Sequence, residues 1–244
     1  MITEPFEMVC PCLLGVEGLV AEELRAMGAQ NVTPQNGRVF FQGDCHMLAR
    51  VNLGSRYSER VLVQMGSFRA RSFDELFEGV KALPWEFWIG KNDIFPVKGR
   101  SLGSQLASVP DCQKIIKKAV VERLKQTYRT AWFEETETLY QIQFLILKDE
   151  VSVMIDTSGV GLHKRGYRAN SAEAPIKETL AAAMVHLARV RVNGNLADPF
   201  CGSGTVLIEA AMYAFNIAPG LRRNFAAENW EQISPAVWQQ EKQR

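Results

Sequence analysis

Two glycines in the last quarter of the chain constrain the fold more than any other feature of the sequence. The segment Asp198-Pro199-Phe200-Cys201-Gly202-Ser203-Gly204-Thr205 follows a predicted strand around Leu196 and precedes a helix predicted to end near Phe215. Glycines in such a turn let the backbone approach a ligand, and the amides that open the next helix can donate to a polar or anionic group. The third glycine of the dinucleotide fingerprint and the Gly-Lys-Ser/Thr of a phosphate loop are both absent. The segment is typical of a nucleotide-type loop in an α/β domain, although a plain glycine turn has the same spacing.

Length and composition indicate a protein that can bury a core. The 244 residues are 47% apolar and include 28 Lys plus Arg and 27 Asp plus Glu, which suits one large domain or two modest ones. No apolar run reaches the ~20 residues of a bilayer-spanning helix, and Glu4 and Glu7 stand where a signal peptide would carry Lys or Arg. We therefore expect a soluble protein with no membrane partner.

Cysteine usage bears on compartment and on metal binding. Five cysteines without a CxxC pair argue for a reducing compartment, so the expected localisation is cytoplasmic. Cys10, Cys12, Cys45 and His46 could supply four zinc ligands, but their spacing matches no standard finger. Free cysteine is also an ordinary small core residue, and we predict no metal site.

The predicted elements form three consecutive units. Residues 1–70 alternate short strands and helices as a small α+β unit. Residues 71–162 form a second α+β unit that ends in a hairpin of strands over 139–147 and 151–156. Residues 163–244 begin with a basic loop and lead through an alanine-rich helix into the glycine turn.

The exact residues around the glycine turn resemble a known family. The string from Asp198 to Thr205, followed by Val-Leu-Ile-Glu-Ala-Ala, closely resembles the first motif of class I S-adenosylmethionine-dependent methyltransferases that modify exocyclic amines. The predicted helix from Pro175 to Arg189 begins with Pro-Ile-Lys-Glu-Thr-Leu-Ala-Ala-Ala, which with the preceding Ala174 is similar to the cofactor-side motif of the same enzymes.

The resemblance extends to the front of the chain. Leu14-Gly15-Val16-Glu17-Gly18-Leu19, with the Glu-Glu-Leu and the glycine that follow it, is similar to the opening of large-subunit ribosomal RNA guanine-N2 methyltransferases. His163-Lys164-Arg165-Gly166-Tyr167-Arg168 is typical of the junction in that family. The implied fold class is α+β followed by α/β: a ferredoxin-like domain over 1–70, a THUMP RNA-binding domain over 71–162 and an incomplete Rossmann-like methyltransferase domain over 163–244.

The resemblance implies S-adenosyl-L-methionine as the cofactor. The glycine loop would line its methionine part, with Asp198 near the amino group. The residues implied at the cofactor are Asp198, Phe200, Gly202, Ser203, Gly204, Ala174, Pro175 and Glu178. From the residues alone two alternatives stay open, because Asp198 could only cap its turn and Glu178 could be a solvated helix residue.

Local charge supports RNA as the partner. Nine basic residues stand against three acidic ones between Lys91 and Arg129. Lys114, Lys117 and Lys118 fall on one side of a predicted helix, as a phosphate-binding surface requires, although an ordinary solvated helix has the same pattern. Together with the resemblance to THUMP proteins, this local charge makes structured RNA the expected partner. Among structured RNAs, ribosomal RNA is the first expectation. The predicted RNA contacts are Lys98, Arg100, Lys114, Lys117, Lys118, Lys164, Arg165, Tyr167 and Arg168, with Tyr167 stacking on a base, whereas Trp85, Phe87 and Trp88 are expected in the core.

Two features that methyl transfer to an exocyclic amine would need are absent from the sequence: a motif that orients the target amine and enough residues to complete the sheet. The family's target-amine motif is Asn or Asp followed by Pro-Pro-Tyr or Pro-Pro-Phe, and none of the ten prolines is adjacent to another. The stretch after Gly204 is also too short to complete a doubly wound sheet. No catalytic residue is therefore assigned. We expect the N-terminal part of a longer enzyme, inactive alone, whose residues 175–244 are mobile or buried against another chain; the alternatives are a stand-alone RNA-binding module and an adenine-N6 methylase.

Overall fold

The computed structural model describes residues 4–168, 175–191 and 193–244. Its strands are β1 (Phe6–Pro11), β2 (Gln30–Gln35), β3 (Arg38–Gly43), β4 (Leu62–Arg69), β5 (Val97–Leu102), β6 (Ile142–Leu147) and β7 (Glu150–Asp156). Its helices are α1 (Glu17–Ala26), α2 (Cys45–Gly54), α3 (Phe73–Lys81), α4 (Val109–Tyr128), α5 (Glu178–Leu187), α6 (Thr205–Ala214) and α7 (Pro235–Gln243), with 3-10 turns at Trp85–Phe87 and Ala226–Asn229. No helix in these ranges is long and apolar enough to cross a membrane.

One sheet joins the first two units. Its strand order is β2-β3-β1-β4-β7-β6-β5, and all neighbours are antiparallel except the parallel pair β5 and β6. The connection is made by β4 and β7, which pair from Leu62 opposite Asp156 to Arg69 opposite Glu150. The strands of the two predicted α+β units therefore form one continuous layer.

The main core lies between this sheet and helices α1 to α4. Helix α4 shows how the sequence produces that layer, because its buried residues recur at helical spacing: Cys112, Ile116, Ala119, Val120 and Leu124. Side-chain caps fix the starts of α2, α3 and α7, where Asp44 accepts from the Met47 amide, Ser72 from the Glu75 amide and Ser234 from the Ala236 amide. The other face of the sheet carries a smaller apolar strip of Val9, Leu62 and Met154, with Phe40 and Leu145 packed against it.

Several predicted elements differ from the structure. Strand β2 was not predicted because it is polar and contains Pro34, which is tolerated at its edge position. The strand predicted around Leu196 is absent from the described residues. Trp85 and Trp88 are buried as predicted, but Phe87 is 51% exposed, because a tight turn directs residues three apart to one side and the residue between them to the other.

The last thirty residues fold back onto the first two units. Trp230 is buried and stacks on Tyr140 with ring centroids 4.6 Å apart. Helix α7 packs on α2, where Glu241 accepts from the Arg50 guanidinium at 2.8 Å. The apolar side chains of this segment, which were expected to be exposed or covered by another chain, instead complete the core of the same chain. Helix α5 does expose apolar side chains, at Leu180, Met184 and Leu187.

Candidate functional site

The predicted glycine loop forms the turn that enters α6. Gly202 and Gly204 both have left-handed backbone conformations, with φ of +53° and +71°, which favour glycine. The Gly204 amide donates to the Cys201 carbonyl at 2.8 Å and closes the turn. Within the described residues, the amides of Gly202 and Ser203 have no hydrogen-bond partner, so both can donate to a ligand at the helix start.

The space in front of the loop is open. A Cβ at Gly202 would meet nothing within 4 Å, and one at Gly204 would meet only the Ile208 Cδ1 atom at 4.0 Å. Phe200 is 94% exposed beside this space. The loop thus combines free donors, an open approach and an apolar ring, which matches a ligand with both polar and apolar parts.

The other predicted cofactor residues have different surroundings. The Asp198 carboxylate accepts from the Phe200 amide at 3.0 Å and caps the turn with one oxygen, leaving the other free. Pro175 stands three residues before α5 rather than in its first turn. Glu178 is buried and lies 3.3 Å from Arg168, so it is not the solvated helix residue that the alternative described. Ala174 lies outside the described residues.

Arg168 brings the two predicted cofactor segments together. Its guanidinium contacts Glu178 in the first turn of α5 and donates to the Thr205 hydroxyl, which directly follows the glycine loop. The start of α5 and the start of α6 are therefore held side by side. One cationic side chain thus defines a single candidate cofactor site from two segments that are distant in sequence.

A second, fully buried ion pair supports the same helices. Arg165 and Glu209 have side-chain exposures of 2% and 0%, with Nε and Oε1 3.4 Å apart. Arg165 also donates to the carbonyls of Ser55, Leu162 and Arg56, and the Tyr167 hydroxyl donates to Glu209 at 3.1 Å. Burial raises the pKa of Glu209, an effect that the charge of Arg165 opposes. These bonds fix α6 against the body of the sheet domain.

This geometry corrects three predicted RNA contacts in the junction. Arg165, Tyr167 and Arg168 point into the protein and are bonded to Glu209, Glu178 and Thr205. A buried guanidinium that already has its partners cannot also bind a phosphate outside. The basic loop contributes Lys164 as its exposed cation, so RNA contact by Lys164 stays a prediction.

Lys117 is a further correction on α4. Its ammonium donates to both carboxylate oxygens of Glu135 at 2.7 Å and lies 3.5 Å from the centre of the Phe95 ring. Burial lowers the pKa of Lys117, and Glu135 counteracts this. Lys114 and Lys118 remain exposed on the same helix, and Lys98 and Arg100 are exposed on β5. RNA binding by these four residues stays a prediction.

Sequence reasoning missed two acidic residues that hold the site in place. Glu59, just before β4, accepts from the Thr179 hydroxyl at 2.6 Å and from Lys177 at 3.2 Å, with His163 at 3.5 Å. The His163, Thr179 and Lys177 contacts lower the pKa of Glu59 to about 2. Glu209 was detectable, because a single carboxylate in an apolar helix segment indicates a buried partner. Glu59 has no such sequence signal.

Metal binding finds no support in the described part of the chain. No group of three or more His, Cys, Asp or Glu side chains there is placed to hold an ion. Burial raises the pKa of the Cys10 and Cys45 thiols, which disfavours the thiolate that zinc requires.

Three domain models match the chain in order. They are the RlmL ferredoxin-like domain over residues 7–62, the THUMP domain over 70–156 and the RMKL-like methyltransferase domain over 165–244. The predicted ferredoxin-like, THUMP and methyltransferase fold types are thereby confirmed.

Named relatives cover the chain almost completely. "Putative RNA methyltransferase YpsC" of Bacillus subtilis is 48% identical over 235 residues, which are 96% of this chain and 61% of the relative. "Ribosomal RNA large subunit methyltransferase K/L" of Ectopseudomonas mendocina is 35% identical over 247 residues, which cover 97% of this chain and 34% of the relative. The chain therefore spans less than two thirds of these relatives.

Two solved structures share the fold. One from Listeria monocytogenes, described as "a predicted N6-adenine-specific DNA methylase", is 46% identical with a TM-score of 0.95 and covers 98% of this chain and 63% of that one. Another, "SMU.472, a putative methyltransferase complexed with SAH", is 40% identical with a TM-score of 0.93 and covers 99% and 64%.

The buried pair gives a stability prediction. Glu209→Ala leaves the Arg165 charge buried without its carboxylate, so the free energy of unfolding should fall by about 3–5 kcal/mol. Urea denaturation followed by circular dichroism measures this change. Glu231→Ala removes an exposed carboxylate and serves as the control, with an expected change within about 0.5 kcal/mol. Equal stability of the two variants would contradict the structural role of Glu209.

Glu59 gives a prediction on pH. Its pKa lies at about 2 instead of its usual 4.5, so its contacts stabilise the fold above pH 4.5 and lose their effect as the pH falls toward 2. At pH 7, Glu59→Gln should unfold more easily than wild type by on the order of 2 kcal/mol. That difference should shrink steadily below pH 4.5 in urea titrations. For the exposed Glu78→Gln control we expect a small, pH-independent difference; a constant difference for Glu59→Gln would contradict the lowered pKa.

Proposed function

Because the chain carries an RlmL-type ferredoxin-like domain, a THUMP domain and an RMKL-like methyltransferase segment in this order, we propose that the protein transfers a methyl group from S-adenosyl-L-methionine to RNA. The observation that carries the proposal is the glycine loop with the free Gly202 and Ser203 amides at the start of α6. A relative's structure complexed with SAH, the demethylated form of this cofactor, supports the choice of ligand.

Each residue of the loop has a defined role in this proposal. The Gly202 and Ser203 amides donate to the carboxylate of the cofactor's methionine part, helped by the positive end of the α6 dipole. The Asp198 oxygen that does not cap the turn accepts from the cofactor's amino group. The exposed Phe200 ring covers an apolar part of the cofactor. S-adenosyl-L-methionine, when bound, supplies the methyl group.

Arg168 and Glu178 act as positioning residues. Glu178 neutralises Arg168 in a buried place, and Arg168 holds the Thr205 hydroxyl at the first position of α6. The free amides therefore keep their direction without contact between either side chain and the ligand. This arrangement replaces the direct cofactor contact that the sequence suggested for Glu178.

The finer proposal for the substrate is the N2 amine of guanine in ribosomal RNA. It is supported by relatives named ribosomal RNA large subunit methyltransferases and by the RlmL ferredoxin-like match. The second candidate is an adenine-N6 amine, which the description of the Listeria structure favours. Nucleoside analysis of RNA methylated by the protein, assayed at the full length of its curated relatives, decides between 2-methylguanosine and 6-methyladenosine.

The five cysteines without a CxxC pair support a cytoplasmic location.

The proposal also requires an RNA-binding surface. The exposed cations that remain after the corrections are Lys98, Arg100, Lys114, Lys118 and Lys164. They lie on both the THUMP domain and the junction. RNA phosphates bound by these cations would therefore extend from the THUMP domain to the junction that precedes the cofactor site. A stand-alone RNA-binding role would retain these residues but would leave the free loop amides without a ligand.

Gly204→Val tests the cofactor loop. A side chain at Gly204 has room, but valine is strained at a φ of +71°, so the turn should open and the amides should lose their alignment. We expect affinity for S-adenosylhomocysteine to fall at least about tenfold in calorimetry with the protein at the full length of its relatives. Gly103→Val is the matched control, because Gly103 has a φ of +59° and open surroundings in the THUMP domain. Unchanged affinity in a folded Gly204→Val variant would remove this loop from the site.

A methylation assay tests the division of tasks. A polypeptide of residues 1–244 should bind deproteinised ribosomal RNA but transfer no labelled methyl group. Transfer needs the amine held about 3–3.5 Å from the methyl carbon, and the target-amine motif is absent from the 244 residues. A polypeptide of the relatives' full length is the positive control. Stoichiometric methylation by residues 1–244 would require an amine-orienting site that we have not recognised.

A further inference from the structure

A cleft of about 650 Å³ lies on the sheet face opposite the helices. Its floor is the apolar strip of Val9, Leu62 and Met154 together with Leu145, and Phe40 packs against this strip beside the cleft, outside its lining. These residues come from β1, β3 and β4 of the first domain and from β6 and β7 of the second. The cleft therefore exists only because one sheet runs through both domains.

The cleft is strongly cationic. Arg38, Arg60, Lys98, Arg100 and Lys177 line it, against Glu59 as the one carboxylate among the lining residues. Arg60 is bonded to Asp156 and Lys177 is bonded to Glu59, so their charges are compensated. Lys98 and Arg100 have no ion-pair partner among the described residues, and Arg38 donates only to the Ser152 hydroxyl. Three cations thus face the cleft uncompensated.

The positions of these three cations follow from strand register. Lys98 and Arg100 are two residues apart on β5 and project to the same face, opposite Gln143 and Leu145 of β6. Arg38 is the first residue of β3. Its guanidinium carbon lies 5.0 Å from the centre of the Phe40 ring, and its Nη1 donates a hydrogen bond to the Ser152 hydroxyl of β7. Positive charge therefore flanks the apolar strip on both sides. Such a layout suits a ligand with negative charges along its edges and flat apolar groups between them.

We propose that this cleft binds an unpaired segment of the RNA substrate. Its phosphates contact Lys98, Arg100 and Arg38, and its bases lie against Phe40 and the apolar floor. The inference rests on the proposed function in that it takes RNA as the substrate, and it adds the form of RNA and the place where it is held.

Shape and chemistry favour a single strand over a duplex. A duplex presents phosphates and groove edges but no base faces, and its width prevents it from entering a cleft of this size. An unpaired strand exposes base faces that stack on an aromatic ring next to a guanidinium. The side-chain amide of Gln141, which has no hydrogen-bond partner among the described residues, lines the cleft and can bond to a base edge.

The cleft also extends to the start of α5. Lys177 lies on its rim and is the residue directly before α5, whose first turn holds Glu178 and through it Arg168. Glu59 joins that rim to the sheet domain. A strand held in the cleft therefore runs up to the first turn of α5, which Arg168 joins to the start of α6.

The test compares two double variants of residues 1–244. Lys98→Gln with Arg100→Gln removes two cleft cations, and Arg25→Gln with Lys91→Gln removes one exposed arginine and one exposed lysine outside the cleft lining as a charge-matched control. Each protein is titrated against a fluorescent unpaired 12-nucleotide RNA and against an RNA hairpin stem of similar charge, at several salt concentrations. We expect wild type to prefer the unpaired RNA, and the cleft variant to bind it at least about tenfold more weakly, with a salt slope lower by about 1.4. The control should keep most of its affinity.

A third variant tests stacking. Phe40→Leu keeps apolar volume but removes the aromatic face, so affinity for the unpaired RNA should fall about fivefold or more with the salt slope unchanged. All four surface lysine and arginine positions are partly or fully exposed, and circular dichroism verifies that each variant is folded.

Three results would overturn the inference. If the cleft variant loses no more affinity than the control, RNA binds elsewhere, and the proposed function stands without the cleft. If wild type binds the hairpin stem as well as the unpaired RNA, the cleft does not select single strands. If wild type binds neither RNA, both the cleft and the proposed RNA substrate are wrong.

Discussion

The pairing of β4 with β7 is the interaction on which the rest of the structure depends. It joins a strand that closes the first domain to the hairpin that closes the second, from Leu62 opposite Asp156 to Arg69 opposite Glu150. Without it, each domain would have an exposed sheet edge with unpaired amides and carbonyls. With it, a single face spans both domains, and residues as distant in sequence as Arg38 and Ser152 come within hydrogen-bond distance. The cationic cleft is a direct consequence of this pairing.

The methyltransferase segment is attached to that sheet by buried polar bonds rather than by apolar packing alone. Arg165 contacts Glu209 of α6 and the carbonyls that follow α2, and Glu59 contacts the start of α5. Such groups are costly to bury unless all partners are in place, so they favour one relative placement over nearby alternatives. The same logic explains why the loop His163–Arg168 carries so many charges. Arg165 and Arg168 form interior bonds of this junction, which corrects their predicted contact with RNA, whereas Lys164 stays exposed.

The sequence predicted the parts of the molecule that depend on local pattern. Helical spacing located α4, and the glycine loop was found from two positions where the turn requires left-handed backbone. Contacts between distant segments could not be predicted this way. Nothing in the local sequence of Lys117 distinguishes it from Lys118, yet one is enclosed by Glu135 and Phe95 and the other is exposed. The cleft was equally hidden, because its cations come from β3 and β5 at opposite sides of the sheet.

The last thirty residues show how the order of segments serves the site. After the glycine loop and α6, the chain does not continue beside these helices but returns to the sheet domain, where Trp230 stacks on Tyr140 and Glu241 binds Arg50. The methyltransferase helices are thus fixed at both ends, by the junction before α5 and by this segment after α6. The outer face of α5, with Leu180, Met184 and Leu187 exposed, stays free. The glycine loop at the start of α6 is thereby held in one position relative to the sheet domain, while the opposite side of this segment exposes apolar side chains.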